Sequence, residues 1–304
     1  MVRGLRRRGQ AWSSLPAFPT PRKPFAAATV PPPIVTDSVT HLGPDAHGRA
    51  VLAASHGGIF AAYLAARAAV KGVILCDAGV GRERAGIGGL AYLDGLSVPA
   101  ATVGHRSARI GDGADCVARG VISHVNASAL ELGVLAGMIV RQALDILTAA
   151  DLAPSREPLP LPERRHTVRE PTAPGVPICA LDSNSLVGPE DAGAIVLTGS
   201  HGALLAGRPE SAVKHPVYAA VFNDADFGAD DVGISRLPAL DARGIAGATV
   251  SAWSARIGDG VSTYCDGFVS ALNATAARYG GEIGISAVEL VGRFAAARLQ
   301  DLRQ

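Results

Sequence analysis

Short continuous apolar runs alternate with Ala- and Leu-rich stretches along this chain, and the same order occurs twice. "RAVLAAS" (49–55) is apolar without interruption until "HGG", which reads as a buried strand ending in a tight turn. "IFAAYLAARAAV" (59–70) is rich in helix formers and predicts a helix. "GVILCDAG" (72–79) and "VPAATVG" (98–104) predict further buried strands, with a helix over 86–97 between them and another in the later part of 128–150. The second series places strands at 194–200, 218–225 and 246–252 and a last helix at 286–299. Strands without polar alternation, separated by helices, predict an α/β fold of βαβ units in which mostly parallel sheets are covered on both faces.

The repetition extends to identity. "SARIGDG" stands at 107–113 and again at 254–260, and fifteen of 29 residues match without a gap between 101–129 and 248–276. The same offset pairs Asp77 with Asp224 and Gly86 with Gly233. Upstream, "SHG" at 55–57 pairs with "SHG" at 200–202, two residues out of step with that offset, so the second copy carries two extra residues within 203–216. A period this long is that of a small domain and not of a solenoid. The expectation is an internal duplication of a βαβαβ three-layer half-domain, its copies related by a pseudo-two-fold axis. The divisions are a basic Pro-rich tail (1–33), repeat one (34–150), a linker with seven prolines (151–178) running extended over the surface, and repeat two (179–304).

Composition changes the picture in two places. Apolar residues at 48% and charged ones at 18% suit a fully buried core. The net charge of +1 hides a split: residues 1–30 hold six Arg or Lys and no acid, leaving 22 basic and 27 acidic side chains elsewhere. A mildly acidic body argues against nucleic-acid binding. The leader has no long apolar run, so no secretory signal is expected, and no stretch suits a membrane span. The four cysteines form no CxxC pair, which fits free thiols in a cytoplasmic protein.

The chemistry-bearing motifs all follow strand ends, the rim where open α/β sheets bind ligands. "AASHGG" (53–58) and "TGSHGA" (198–203) place Ser55, His56, Ser200 and His201 there. Strand, Ser-His-Gly and helix over 55–77 resemble the nucleophile elbow of the α/β-hydrolases, a likeness that implies a nucleophilic serine. Ala53 and Thr198 stand where that family has Gly, and its later acid–His pair is missing from the usual layout, so the likeness is local. In the heptapeptide, Arg109 with Asp112 and Arg256 with Asp259 combine a guanidinium suited to carboxylate or phosphate with an acid that orients it. Asp77 ends a strand. His105 and Cys76 occur in repeat one alone, opposite Ala252 and Asn223, so proton transfer is expected in that half. Cys76 beside Asp77 reads as a buried, inert thiol. Asn126 and Asn273 read as helix caps. No Walker loop, GxGxxG or HExxH is present.

These readings converge on an enzyme that hydrolyses a C–N or C–O bond (amide, lactam or ester) of a small anionic molecule between the two repeats. Ser55, His56, Asp77, His105 and Asp112 would be catalytic, and Arg109, Ser200, His201, Arg256 and Asp259 would bind substrate. No cofactor is expected, although Asp77, Asp112 and His56 together would suit a divalent metal. Two alternatives are a cofactor-independent racemase, isomerase or decarboxylase with a pseudo-symmetric site, and a non-catalytic small-molecule binding protein. A homo-oligomer is compatible with all three.

Overall fold

The computed structural model describes residues 30–152 and 155–303. Nearly all of the expected basic tail (1–29) lies outside the described residues, which form one compact unit from Pro31 onward.

Two sheets organise the chain. The first is ordered β1(Ile34–Thr36), β2(Ala50–His56), β3(Gly72–Cys76), β4(Ala100–Val103), β5(Ile122–Val125). Its first four strands are parallel and β5 is antiparallel. The second is ordered β11(Val269–Leu272), β10(Ala246–Val250), β9(Ala219–Asn223), β8(Ile195–His201), β7(Ile178–Leu181), β6(Arg165–Val168). It repeats the first, with β11 antiparallel, and adds β6 as an antiparallel edge. The fold is therefore α/β with two mixed, mostly parallel sheets, and two sheets so alike fit a two-half arrangement.

The alternation of strand side chains explains why the runs looked uniformly apolar. Leu52, Ala54, Ile74 and Cys76 face one layer, formed with α3(Gly113–Arg119) and α5(Val140–Ala149). Val51, Ala53, Val73 and Leu75 face the other, formed with α1(Ile59–Arg67) and α2(Gly88–Gly95). Both faces are buried, so no polar alternation survives. The same three layers recur in the second half with α6(Arg236–Asp241), α7(Gly260–Cys265) and α9(Ala287–Asp301).

Three elements depart from the sequence reading. The linker does not simply run over the surface: Arg165–Val168 pairs with β7, and Arg165 anchors it through Asp191 at 2.7 Å. The segments "ISHV" and "VSAL" supply the antiparallel strands β5 and β11, and the capping asparagines follow them, Asn126 before α4(Ala127–Glu131) and Asn273 before α8(Ala274–Arg278). The second half has no counterpart of α1; two 3-10 turns, Leu205–Gly207 and Pro209–Ser211, lie where the two extra residues fall.

Contacts between the halves are reciprocal. Arg82 N donates to Ala252 O at 2.8 Å, and Ala229 N donates to His105 O at 2.7 Å, each bond joining the equivalents of the other's residues. Arg256 pairs with Glu83 at 3.2 Å, and Arg109 pairs with Asp230 at 2.9 Å. Reciprocity of this kind is the signature of a two-fold interface. The first half's core continues across it to Ala203, Ala225, Val232 and Ile257. The loops that meet there carry left-handed non-glycine residues at matching positions, Ala78, Val80, Glu83 and Arg84 in one half and Ala225, Phe227, Asp230 and Asp231 in the other. Such conformations persist where the packing around them overrides their cost.

Candidate functional site

The Ser-His-Gly motifs come together at the carboxyl ends of β2 and β8. Pairing of β2 with β3 shifts register between Leu52 and His56, and pairing of β8 with β9 shifts between Leu197 and His201. Irregularities of this kind re-aim the side chains that follow them. Both imidazoles line one cavity of about 450 Å³, together with Ser55, Ser200, Asp182 and Arg236. Each ring packs on the other half's heptapeptide: a methyl group on Gly258 would come within 3.3 Å of His56 Cε1, and one on Gly111 within 3.4 Å of His201 Cε1.

The protonation of the two rings follows from their partners. Gly58 N donates to His56 Nδ1 at 3.1 Å, and Ala203 N donates to His201 Nδ1 at 3.3 Å. A ring nitrogen that accepts an N–H keeps its lone pair, so the neutral ring carries its proton on Nε2. Burial pushes His56 down to about 4. His201 is held well below the ordinary range by burial, by the nearby Arg236 and by His56. Near neutral pH both are therefore uncharged Nε2–H donors. Neither Nε2 has a hydrogen-bond partner among the described residues.

The serines serve the backbone. Ser55 Oγ accepts from Val39 N, and Ser200 Oγ accepts from Asn184 N, both at 2.9 Å. Among the described residues no imidazole or carboxylate hydrogen-bonds Ser55 Oγ, so it lacks the activating base that a nucleophilic serine requires.

Asp77 and His105 lie elsewhere, at the seam between the halves. His105 Nδ1 is 2.9 Å from Asp77 Oδ1, and its Nε2 is 3.0 Å from Asp226 Oδ2 of the other half. Arg106 and Trp253 also hold Asp226, at 2.9 and 3.1 Å. The pair forms a tie between lobes and lines neither this cavity nor the adjoining one.

The heptapeptide is explained by its architecture. Ala108, Ala255, Ile110 and Ile257 are buried. Gly111 and Gly258 both have φ +84°. Asp112 and Asp259 cap α3 and α7, accepting from Asp115 N and Ser262 N. Arg109 is engaged by Asp230 at 2.9 Å and Asp115 at 3.8 Å and lines neither cavity. Arg256, held by Asp259 and Glu83, lines the adjoining cavity of about 560 Å³, which shares His56, Asp182 and Gly258 with the first. The two arginines expected to clasp one anion thus do not meet in one cavity, because each is spent on an ion pair across the seam.

Asp77, Asp112 and His56 form no metal-binding group. Among the described residues no cluster of three or more His, Cys, Asp or Glu is placed to hold a metal ion. Cys76 is a core thiol whose Sγ lies 3.8 Å from Cys116 Sγ; that contact and burial push it well above its ordinary value. No described helix is long and apolar enough to cross a membrane.

Two cavity residues had no signal in the sequence reading. Arg236 is 3% exposed, and burial brings its guanidinium down to about 9. Glu163 comes from the Pro-rich linker; burial raises its carboxyl above the usual range, with Asp182 adding to the effect. Matching residues between the copies could have flagged Arg236, since repeat one has Gly89 at that position.

Fold and site together define a two-half α/β protein with a cavity at the strand ends of both sheets that histidine, serine and charged side chains line. No family model matches the chain, and no curated protein or solved structure is significantly similar to it.

Proposed function

We propose that this protein is an enzyme that hydrolyses a C–N or C–O bond adjoining a carbonyl group in a small molecule held in the cavity between its halves. The observation that supports it is the pair of neutral imidazoles, His56 and His201, offering Nε2–H donors to one cavity from two halves. Fixed N–H donors aimed at a carbonyl oxygen stabilise the negative charge that develops on it under attack. Glu163, on the same cavity wall with its pKa raised, is the general base.

In this reading Glu163 takes a proton from water, and the water oxygen attacks the carbonyl carbon. The carbonyl electrons move to its oxygen, which the two imidazoles hold. Collapse of the adduct restores the C=O bond and expels the amine or alkoxide, which receives the proton from Glu163. Ser55 and Ser200 fix the loops that follow β1 and β7 and form no covalent intermediate.

The two-fold placement of the imidazoles favours one other reading, isomerisation, in which the same donors would hold an enolate oxygen while Glu163 removes a proton from carbon. Isotopes separate the two. Turnover in H₂¹⁸O places ¹⁸O in the acid product for hydrolysis. Turnover in D₂O places deuterium on substrate carbon for isomerisation and overturns the hydrolytic assignment. Screens of amides, lactams and esters supply the substrate; tight binding without turnover would leave a binding protein.

A further inference from the structure

We infer that Arg236 is an anion-recognition residue and that the ligand it takes is a small monocarboxylate bearing hydroxyl groups. This rests on the reading of the same cavity as a substrate site, and it adds the substrate's class.

Arg236 is a buried cation without a counter-ion among the described residues. Its Nε donates to Ala203 O at 2.9 Å and its Nη1 to Ser211 O at 3.0 Å and to Ala212 O, all uncharged acceptors. Its guanidinium lies 4.8 Å from the Phe222 ring centroid, and Nη2 has no hydrogen-bond partner among the described residues. Carbonyls and an aromatic face solvate the guanidinium only in part, and a buried charge is costly unless it is paired as well as hydrogen-bonded, so an anion at Nη2 would be favourable. The three bonds to carbonyls tie down the segment 203–212, and they leave Nη2 uncommitted. The equivalent position in the first half is Gly89, closely packed on Ala62 of α1. In the second half α1 is replaced by the turns around Leu205–Ser211, and Arg236 reaches the cavity wall beside His201.

The remaining lining decides the charge and chemistry of the ligand. Lys214 adds a second cation, whereas Arg208 is committed to Asp37 at 3.2 Å. Glu163 and Glu210 line the same cavity, whereas Asp182 is committed to Arg164 at 3.0 Å, and the two glutamates disfavour a ligand carrying several negative charges. A single carboxylate on Arg236 meets both conditions. Ser38, Thr40, Ser183 and Ser185 line the cavity in two matching hydroxyl pairs, 2.8 and 2.7 Å apart. Ser38 and Ser183 also cap the turns that follow them, accepting from Thr40 N and Ser185 N, which leaves the second hydroxyl of each pair, on Thr40 and Ser185, to meet a hydroxyl of the ligand.

Calorimetry on the full chain tests this with gluconate, propionate and inorganic phosphate as probes. Gluconate is expected to bind more tightly than propionate or phosphate, and Arg236→Gln to weaken it by about tenfold or more, the loss of one charge-assisted hydrogen bond. Arg236→Lys should recover part of that loss. Arg109→Ala, which lines neither cavity, should keep gluconate binding; gluconate binding through Arg236 with no hydrolysis of any amide, lactam or ester would leave the anion site standing while the hydrolytic reading fails, and hydrolysis with no effect of Arg236→Gln on gluconate would remove the anion site alone. Should Arg236→Gln not fold, the side-chain ¹⁵N resonance of Arg236 in the wild type, followed through the gluconate titration, gives the answer. No binding of gluconate, tighter binding of phosphate, an unshifted Arg236 resonance, or equal affinity in a folded Arg236→Gln would each overturn the inference.

Discussion

Asp77 and Asp224 occupy equivalent positions at the ends of β3 and β9, yet their carboxyl groups are shifted in opposite directions. Burial raises Asp224, and hydrogen bonds from Ala252 N and Asp226 N do not overcome it. Burial pushes Asp77 the same way, but the imidazole of His105, 2.9 Å away, outweighs it and holds the group below its ordinary value. One residue makes the difference: His105 in the first half, Ala252 in the second.

That difference predicts a pH-dependent tie between the halves. The hydrogen bond with Asp77 raises His105 above 6.5 against the opposing effect of burial, and Asp226 adds to it. A raised histidine stabilises fully below its unfolded pKa and loses that contribution as pH rises through its folded value. Asp77, depressed below 3.8, stabilises above its unfolded pKa and loses the contribution as pH falls through its folded value. His105→Ala should therefore cost most between about pH 4 and 6.5, on the order of 1–3 kcal/mol for a buried acceptor stripped of its partner. Urea titrations at pH 6 and pH 9 measure it; an equal loss at both would show that His105 acts by packing alone.

The final glycine of each heptapeptide makes a graded prediction. A methyl group on Gly113 would meet Thr36 O at 2.8 Å, and one on Gly260 would meet Leu181 O at 2.3 Å and Leu181 N at 2.4 Å. Both contacts are with backbone, which cannot swing aside. Gly113→Ala should cost about 1–3 kcal/mol and Gly260→Ala more than that. Thermal denaturation of both variants gives the ranking; the reverse order would contradict this account of why the motif is kept twice.

How much of this was readable follows from where each signal comes from. Strands β2, β3 and β4 were legible because both of their faces are buried, leaving runs such as "GVILC" without polar interruption. β5 was not, since residues 123–125 stay partly exposed in "ISHV" and the run is short and polar. His56 and His201 were legible from their place after a strand. Arg109 and Arg256 were noticed for the same reason, but a sequence does not say which acid a guanidinium will meet. Their partners, Asp230 and Glu83, are more than a hundred residues away. The mismatch of Arg236 with Gly89 was readable, but its meaning was not, since lacking a counter-ion is a property of the folded surroundings. Glu163 was hidden by a proline-rich context that reads as linker.

The reciprocal pairs predict a charge exchange across the seam. Arg109 contacts Asp230 and Asp115, so Arg109→Glu places three carboxylates together and should lower the melting temperature. Adding Asp230→Arg should restore part of it, because the new guanidinium meets the introduced glutamate but also faces Arg119, which Asp230 holds at 2.6 Å. Since these side chains are 43% and 47% exposed, the effect should shrink as salt rises from about 50 mM to 500 mM. Comparison with Asp230→Arg alone removes the Arg119 effect; a double variant no more stable at low salt than the sum of the two single losses would mean that the Arg109–Asp230 pair does not couple the halves. Turnover by Arg109→Ala should stay close to wild type, because Arg109 lines neither cavity.

Substitutions at the imidazoles separate donation from proton abstraction. With Nδ1 accepting from Gly58 N, His56 presents an N–H to the cavity, and a glutamine amide can present one too. His56→Gln should therefore retain far more activity than His56→Leu, whose kcat should fall by about 10²–10³ for loss of one oxyanion donor. Were His56 the base, both variants would be equally impaired. Glu163 carries the complementary prediction. As a base it must be ionised, so kcat/KM should decline as pH falls through its raised pKa, above the ordinary value of 4.5. Glu163→Gln should remove that acid limb along with about 10²–10⁴ of the rate. His56 titrates at about 4 and stays neutral across the same limb, so an unchanged limb in Glu163→Gln would exclude Glu163 as its source and leave the hydrolytic reading without its base.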